Sequence, residues 1–333
     1  MLKKNILSKI RIIDSFIGNL YVNIIGERSS LIGFLFHGTL QNREENNRNL
    51  VDPQQQITIN DLRIFIQYYL NQGYKFISPD DLARGLADGK YAMITFDDGY
   101  YNNISVLPLL HEFQVPATFF ITTSCVKEQK GFWWDVLYRE RKYLGWADDK
   151  IAAERQQLKQ KQYSEIHEYI TGVFGAAAWK PIGDIDRPFN PQELRAFSED
   201  PFVHIGNHTR DHAILTNYDY GEMVEQLRGA QEDLIGMVGY APKIVAYPNG
   251  RYSDKAVFAA KEAGLELGMT VDQHKNYFSG KKRNNNKVFL FGRFILWGNR
   301  DIFKQCFHFR YDGQLSIERA IRSVRKILKK LGI

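Results

Sequence analysis

Short apolar segments rich in β-branched and aromatic residues recur along this 333-residue chain, separated by segments with helical periodicity. The predicted strands are Leu31–Phe36, Ala92–Phe96, Pro116–Thr122, Phe202–Ile205, Lys243–Tyr247, Glu266–Val271 and Val288–Leu296. Strands that are apolar on both faces and alternate with helices favour a parallel sheet. The pattern therefore predicts an α/β fold, either a barrel or a doubly wound sheet.

A stretch from about 131 to 190 interrupts this alternation. It is too long for a barrel crossover, and its charged, Gln-rich part around Ala152–Tyr169 has a helical pattern. We interpret it as a helical insertion. Trp133 and Trp134 are expected to dock it on the body of the protein, and a position at the edge of a cleft is the alternative.

Both ends of the chain are basic and amphipathic. We expect an N-terminal amphipathic helical segment (1–30), a barrel (31–310) and a C-terminal basic amphipathic helix (311–333). The basic face of the last segment contains Arg319, Arg322, Arg325, Lys326, Lys329 and Lys330. Both helices either pack on the barrel or contact an anionic membrane surface.

Composition narrows the classes of partner and location. The 44 Lys and Arg exceed the 38 Asp and Glu by a formal charge of +6, and no nucleic-acid-binding motif accompanies this modest excess. The two cysteines, Cys125 and Cys306, cannot build a disulfide framework. No signal peptide is recognised, so we expect a cytoplasmic protein, with peripheral contact at the inner membrane face as one of the two alternatives for its basic ends. The oligomeric state stays open.

Two adjacent carboxylates follow the second predicted strand. Asp97 and Asp98 come directly after Ala92–Phe96 and precede Gly99. At the C-terminal end of a strand a turn lets both side chains reach one pocket, which is where barrel active sites lie. A purely structural Asp-Asp-Gly turn explains the motif equally well.

Two histidines, His208 and His212, follow a later predicted strand and are four positions apart. On a helical turn they would share one face. Imidazole pairs with this spacing bind zinc and similar ions, and a carboxylate from elsewhere can complete the ligand set. Two histidines with this spacing occur more often by chance than as metal ligands, so the motif alone does not establish a metal site.

In combination these motifs resemble those of the polysaccharide deacetylase family, the metal-dependent carbohydrate esterases that include chitin and peptidoglycan deacetylases. TFDDG, HTRDH and AYPNG (residues 246–250) each follow a predicted strand, and the resemblance spans roughly residues 31–297. LFHGTL (residues 35–40) resembles the first strand of a permuted branch, typified by bacterial poly-N-acetylglucosamine deacetylases. The resemblance implies a distorted or incomplete (β/α)7 barrel.

The resemblance also implies a reaction and its residues. Asp98, His208 and His212 match the metal ligands, Asp97 matches the catalytic base, and the backbone N–H of Asn249 matches the oxyanion donor. The implied activity is metal-dependent removal of an N-acetyl group from an amino sugar of a glycan or glycan precursor. The implied cofactor is a divalent metal, zinc by default, with cobalt, nickel or iron as alternatives.

The sequence departs from the family pattern in two motifs. Ala246 stands where family members carry an Arg that pairs with a later Asp, and no clear Asp partner is found either. The C-terminal LxH motif, which provides a general acid, is not evident. In the permuted branch a His near the first strand lies close to the site, so His37 is the candidate acid, with a structural role as the alternative.

Three further residues are expected near the substrate or behind the catalytic groups. Tyr247 and Pro248 belong to the third motif, and Arg293 resembles the Arg of the LPR-like segment in the permuted branch.

Other functions stay open at this point. The missing Arg and LxH histidine suggest a non-catalytic carbohydrate-binding relative, and a deformylase or O-acetyl esterase acting on a sugar would use the same groups. A glycosidase is disfavoured, because the adjacent Asp97 and Asp98 would not flank a glycosidic bond at the separation of about 5 Å or more that such mechanisms need.

Overall fold

The computed structural model describes residues 26–277 and 287–311. The two amphipathic segments expected at the chain ends lie almost entirely outside these residues, so the three-part division of the chain stays a prediction. Within the described ranges, no helix combines the length and the apolar character that crossing a membrane requires.

Parallel strands form the wall of a barrel. In spatial order they are β7 (Leu267–Met269), β6 (Ile244–Ala246), β5 (Val203–Asn207), β4 (Ala117–Ile121), β3 (Lys90–Phe96) and β1 (Ser30–Phe36). On the other edge of β1, β9 (Arg293–Ile295) pairs in parallel with Gly33 to Leu35. Phe291, two residues before β9, forms a parallel bridge with Met269 at the end of β7. The described strands thus close into a ring, which confirms the prediction of a distorted (β/α)7 barrel.

Two very short strands flank this ring. β2 (Lys75–Phe76) pairs with β3, and β8 (Asn276–Tyr277) pairs antiparallel with the start of β1. Neither was predicted, because two residues do not show a periodicity. The last predicted strand was too long: Lys287–Phe289 forms a 3-10 turn, and only Arg293–Ile295 is extended. Gly292 lies between them, where a Cβ would come within 2.4 Å of the Asp272 carbonyl oxygen.

Helices connect the strands and cover the outside of the barrel. In chain order they are α1 (Ile59–Asn71), α2 (Pro79–Arg84), α3 (Leu107–Phe113), α4 (Thr123–Glu128), α5 (Trp133–Tyr143), α6 (Asp148–Leu158), α7 (Tyr163–Phe174), α8 (Pro191–Ser198), α9 (Tyr220–Val238), α10 (Asp254–Glu262) and α11 (Ile302–Tyr311). The N-terminus of α1 has a capping box, in which Thr58 and Asp61 satisfy each other's backbone N–H groups.

Helices α5 to α7 of the insertion enclose a small apolar core of their own. Phe132, Trp133, Leu137, Ile166 and Trp179 are among its buried members. Hydrogen bonds attach this core to the barrel, since the Asp135 carboxylate accepts the Asp52 N–H at 2.8 Å and the Tyr100 hydroxyl at 2.7 Å. The insertion is therefore held beside the C-terminal ends of the barrel strands.

Candidate active site

The chain turns sharply where β3 ends. Asp97 still follows the sheet, since its N–H donates to the Phe36 carbonyl at 2.8 Å. Asp98 and Gly99 then adopt left-handed φ angles of 78° and 91°. Such a φ is costly for a non-glycine residue and is typical of functional sites. The turn leaves both carboxylates buried in the same pocket, as the sequence predicted for a strand end.

His208 and His212 follow β5, but in an irregular loop and not on the helical turn expected from their spacing. Thr209 and His212 have left-handed φ angles of 64° and 52°. The Asn207 side-chain oxygen accepts the Thr209 N–H at 2.8 Å and stabilises the turn. The loop brings the two imidazole centroids to within 4.9 Å of each other. The two histidines are therefore neighbours, as predicted, but a loop and not a helical turn brings them together.

Asp98, His208 and His212 form one cluster. The Nε2 atoms of both imidazoles lie 3.4 Å from Asp98 Oδ1, and the possible ligand atoms of the three residues lie within 4.8 Å of one another. His208 Nδ1 bonds to the Ala246 carbonyl at 2.8 Å and must be the donor, so in the neutral ring Nε2 carries a lone pair directed at the cluster.

These residues fit a divalent cation. Asp98 Oδ1 is buried and has no hydrogen-bond donor among the described residues. A carboxylate oxygen facing imidazole nitrogens without a proton donor is the arrangement that a bound cation satisfies. Two imidazoles and one carboxylate are also a donor set common to zinc and neighbouring transition metals.

Electrostatics keep Asp98 and His212 in the protonation states of metal ligands. Burial acts to raise the pKa of Asp98, but the neighbouring His37, His208 and His212 outweigh it and lower this pKa to about 2. Burial lowers the pKa of His212 to about 3, so its ring is neutral at neutral pH. An ionised carboxylate and a neutral imidazole are the forms that bind metal.

Arg293 from β9 holds Asp97 at both carboxylate oxygens, with Nη1 to Oδ1 at 2.6 Å and Nη2 to Oδ2 at 2.9 Å. Its Nη1 also donates to Thr95 Oγ1 at 2.8 Å, and its Nε donates to the Thr270 carbonyl at 3.0 Å. Arg293 is fully buried and lies behind Asp97, not in the cavity wall. The orientation of Asp97, which Ala246 left unexplained, therefore comes from another strand.

His37 lies at the end of β1 and lines the cavity. Its Nδ1 bonds to Gln55 Oε1 at 2.8 Å, and Gln55 Nε2 donates to the Leu35 carbonyl at 3.2 Å. Because Gln55 presents its oxygen, His37 Nδ1 is the donor. The free Nε2 faces the site and lies 4.0 Å from Asp98 Oδ2.

The third motif forms a tight turn after β6. Asn249 has a left-handed φ of 54°, lines the cavity, and its N–H donates to no group in the described part of the chain. Tyr247 and Pro248 are buried beneath the turn, where the Tyr247 ring packs near that of Tyr252. They support the turn and are not part of the cavity wall.

All these groups surround a cavity of about 330 Å³, large enough for one or two sugar rings. Trp134 lies against the His212 ring, with centroids 4.5 Å apart, so it both docks the insertion and borders the cleft. Sequence reasoning missed several lining residues, which have no motif to mark them: Asp52, Gln54, Arg155, Lys159 and Trp297.

Comparison with known proteins identifies the class. The family model described as polysaccharide deacetylase matches residues 84–268, more than half of the chain. The chain belongs to this family and is a hydrolase, a carbohydrate deacetylase. The comparison with curated proteins found no match.

Solved structures share the fold at low sequence identity. Streptococcus pyogenes deacetylase PplD in complex with acetate superposes with a TM-score of 0.56 at 15% identity, covering 83% of this chain and 96% of that one. A de-N-acetylase from Aggregatibacter actinomycetemcomitans gives 0.53 at 16%, covering 81% and 96%. IcaB from Ammonifex degensii gives 0.54 at 14%, covering 85% and 97%.

Proposed function

We propose that this protein is a metal-dependent deacetylase that removes the N-acetyl group from an amino sugar of a glycan or glycan precursor. The observation that supports this most is the meeting of the Asp98, His208 and His212 cluster with the Arg293-bound carboxylate of Asp97 in one cavity. One similar structure is named as a de-N-acetylase, which agrees with the proposed bond.

Asp98, His208 and His212 would hold the cation. We propose zinc, because imidazole and carboxylate ligands suit it, although cobalt, nickel and iron accept the same donors. When bound, such a cation supplies Lewis acidity, which makes water more acidic and polarises a carbonyl group.

The protein groups divide the proton transfers between them. Asp97 is ionised and held in place by Arg293, so it accepts a proton from the attacking water. The free N–H of Asn249 binds the oxyanion that develops on the acetyl carbonyl. His37, whose Nδ1–H is held by Gln55, acts in its imidazolium form and donates the proton on Nε2 to the departing amine.

Replacing Asp98 or His212 by Ala should abolish metal retention and acetate release together, since each substitution removes a ligand. The measurement is acetate release from N-acetylated oligosaccharides and nucleotide sugars, with metal-stripped protein to which zinc or cobalt is returned. His204→Ala is the matched control, because His204 lies on β5 outside the cavity and should retain both properties.

Acetate release that survives both substitutions would contradict this mechanism. Metal binding and sugar affinity without release of acetate would instead favour a carbohydrate-binding protein. Release of formate would instead identify a deformylase, and release of an ester-linked acetyl group would identify an O-acetyl esterase. Either enzyme would use the same site.

A further inference from the structure

One wall of the cavity is cationic and comes from the insertion. Arg155, near the end of α6, and Lys159, just after it, are four residues apart and share one helical face. Both line the cavity that contains Asp97 and Asp98. Neither belongs to a motif of the proposed reaction.

The two cations differ in how they are compensated. The Arg155 guanidinium pairs with Asp52, but its Nε is buried and has no partner among the described residues. The Lys159 ammonium has no carboxylate within ion-pair distance and no hydrogen-bond acceptor in the described part of the chain. Burial and the nearby Arg155 lower the pKa of Lys159 to about 8, as expected for a cation without a counterion.

The position of Lys159 is determined by its surroundings. Its backbone carbonyl accepts hydrogen bonds from Asn217 Nδ2 at 3.1 Å and Arg251 Nη1 at 3.4 Å. Arg251 directly follows the third motif and also contacts Gln160 Oε1 at 3.3 Å. The end of α6 is thus attached to the same loop that presents Asn249, which places a third cation next to Lys159.

The carboxylates in the cavity are already committed. Arg293 compensates Asp97, Arg155 compensates Asp52, and Asp98 belongs to the metal-ligand cluster. No carboxylate of the cavity wall is left to pair with Lys159. A negatively charged group on the substrate would provide the missing partner, and it would also accept a hydrogen bond from Arg155 Nε.

We propose that the substrate is an anionic amino sugar, and that Lys159 and Arg155 bind its carboxylate or phosphate group while the acetamido group lies at Asp98, His208 and His212. This proposal rests on the proposed function, because it assigns the acetamido group to that site. It selects, from the broad class of N-acetylated glycans and glycan precursors, those with an acidic group near the sugar that is deacetylated.

The test compares three substrates: a neutral N-acetylglucosamine disaccharide, the matching disaccharide with a uronic acid, and N-acetylglucosamine 1-phosphate. For wild-type protein we expect kcat/KM to be higher for an anionic substrate by about tenfold or more, the size of one hydrogen bond to a charged group. Comparison of the uronic acid substrate with the phosphate substrate shows which anion Lys159 and Arg155 bind more tightly.

Lys159→Gln should remove most of this preference. The change should be a higher KM for the anionic substrates and not a lower kcat. Lys150→Gln is the matched control, because Lys150 is on the exposed side of α6, over the Trp146 ring, and should leave the preference intact. Equal kcat/KM for neutral and anionic substrates in wild-type protein, or an unchanged preference in Lys159→Gln, would overturn the proposal.

Calorimetric binding of the same sugars separates this proposal from the proposed function. If no sugar releases acetate, the deacetylase mechanism fails, and tighter binding of the anionic sugars to wild-type than to Lys159→Gln protein would still support the cationic wall. Equal binding of neutral and anionic sugars to both proteins would overturn it.

Discussion

The carboxylate of Asp97 is fixed in orientation and charge by a single side chain. Arg293 contacts both oxygens with the geometry of a bidentate pair, which adds directionality to the attraction between the charges. Burial acts to raise the pKa of Asp97, but Arg293 and His208 outweigh burial and hold this pKa below its ordinary value. Asp97 therefore stays ionised and ready to accept a proton at neutral pH.

Replacing Arg293 by Gln should lower kcat on the order of 100-fold, because a misplaced base loses its alignment with the reacting water. Removing one partner of this buried pair should also lower the free energy of unfolding by about 3–5 kcal/mol. Steady-state kinetics, bound-metal content and thermal unfolding measure these effects. Arg293→Lys keeps the positive charge but cannot donate two parallel hydrogen bonds to Asp97. Relative to Arg293→Gln, it should recover more stability than activity. A folded, metal-loaded Arg293→Gln protein with wild-type kcat would contradict the positioning role.

For individual residues, the sequence predicted the site residues better than the side chains that hold them in place. Asp98, His208 and His212 were identifiable because they follow apolar strands in a set order. The contact between Arg293 and Asp97 spans 196 positions and forms only when β9 joins the ring. A motif cannot reveal a partner that depends on barrel closure, which is why the missing Arg at position 246 left the orientation of Asp97 unexplained.

Among the secondary-structure elements, the buried strands were predictable and the irregular connections were not. β1 and β3 read directly as apolar runs because almost every residue in them is buried. The His208–His212 spacing suggested a helical turn, but left-handed residues and the Asn207 side chain produce a loop instead. Local side-chain bonds of this kind compete with helix formation and leave little signal in a single sequence.

A buried ionic cluster joins α11 to the start of the barrel. Glu27, which precedes β1, accepts hydrogen bonds from Arg310 Nε at 3.1 Å and Nη2 at 2.6 Å, and lies 3.6 Å from Lys275 Nζ. Tyr74 also donates to this carboxylate. Burial acts to raise the pKa of Glu27, but Arg310 and Tyr74 outweigh it and hold this pKa below the ordinary 4.5.

The lowered pKa of Glu27 makes the attachment of α11 sensitive to acid. A carboxyl whose folded pKa lies below its unfolded value stabilises the protein fully above the unfolded value, and this contribution is lost as pH falls through the folded pKa. Glu27→Gln should lower the free energy of unfolding by about 3 kcal/mol at neutral pH, because Arg310 and Lys275 lose their buried partner.

Urea unfolding at a series of pH values checks this prediction. The difference in free energy of unfolding between wild-type and Glu27→Gln protein should be constant above about pH 5.5 and should shrink below pH about 4.5. Asp219→Asn is a control at an exposed helix cap, which should show a small, separate effect. A wild-type to Glu27→Gln difference that grows towards acid pH would contradict the assignment.

In the whole molecule, the barrel and the insertion contribute different parts of one site. The strand ends of the barrel provide Asp97, Asp98 and His208, while the insertion provides Trp134 and the cationic wall. Asp135 connects the two, since its carboxylate accepts hydrogen bonds from Asp52, in the loop that follows β1, and from Tyr100, in the loop that follows β3. Under the two proposals, the insertion selects the substrate, while the residues at the strand ends of the barrel carry out the reaction.

For the basic C-terminal segment the sequence leaves two alternatives, packing on the barrel or contact with an anionic membrane surface, and the second makes a quantitative prediction. Its cations would each contribute about 1 kcal/mol near such a surface. Replacing Lys326, Lys329 and Lys330 by Gln in the full chain should therefore weaken binding to vesicles of anionic lipid by roughly 100-fold. Co-sedimentation with vesicles of anionic or purely zwitterionic lipid, at low and high salt, measures this effect.

A matched control variant changes the same amount of charge elsewhere. Its three Lys→Gln substitutions lie at exposed positions of the barrel and insertion: Lys150, Lys255 and Lys304. If the C-terminal face binds the membrane, this control should sediment like wild-type protein, because adhesion depends on local charge density and not on net charge. Equal loss of sedimentation in both variants would reduce the effect to overall charge. A wild-type protein that stays in the supernatant with anionic vesicles would contradict membrane contact and favour packing of the helix on the barrel.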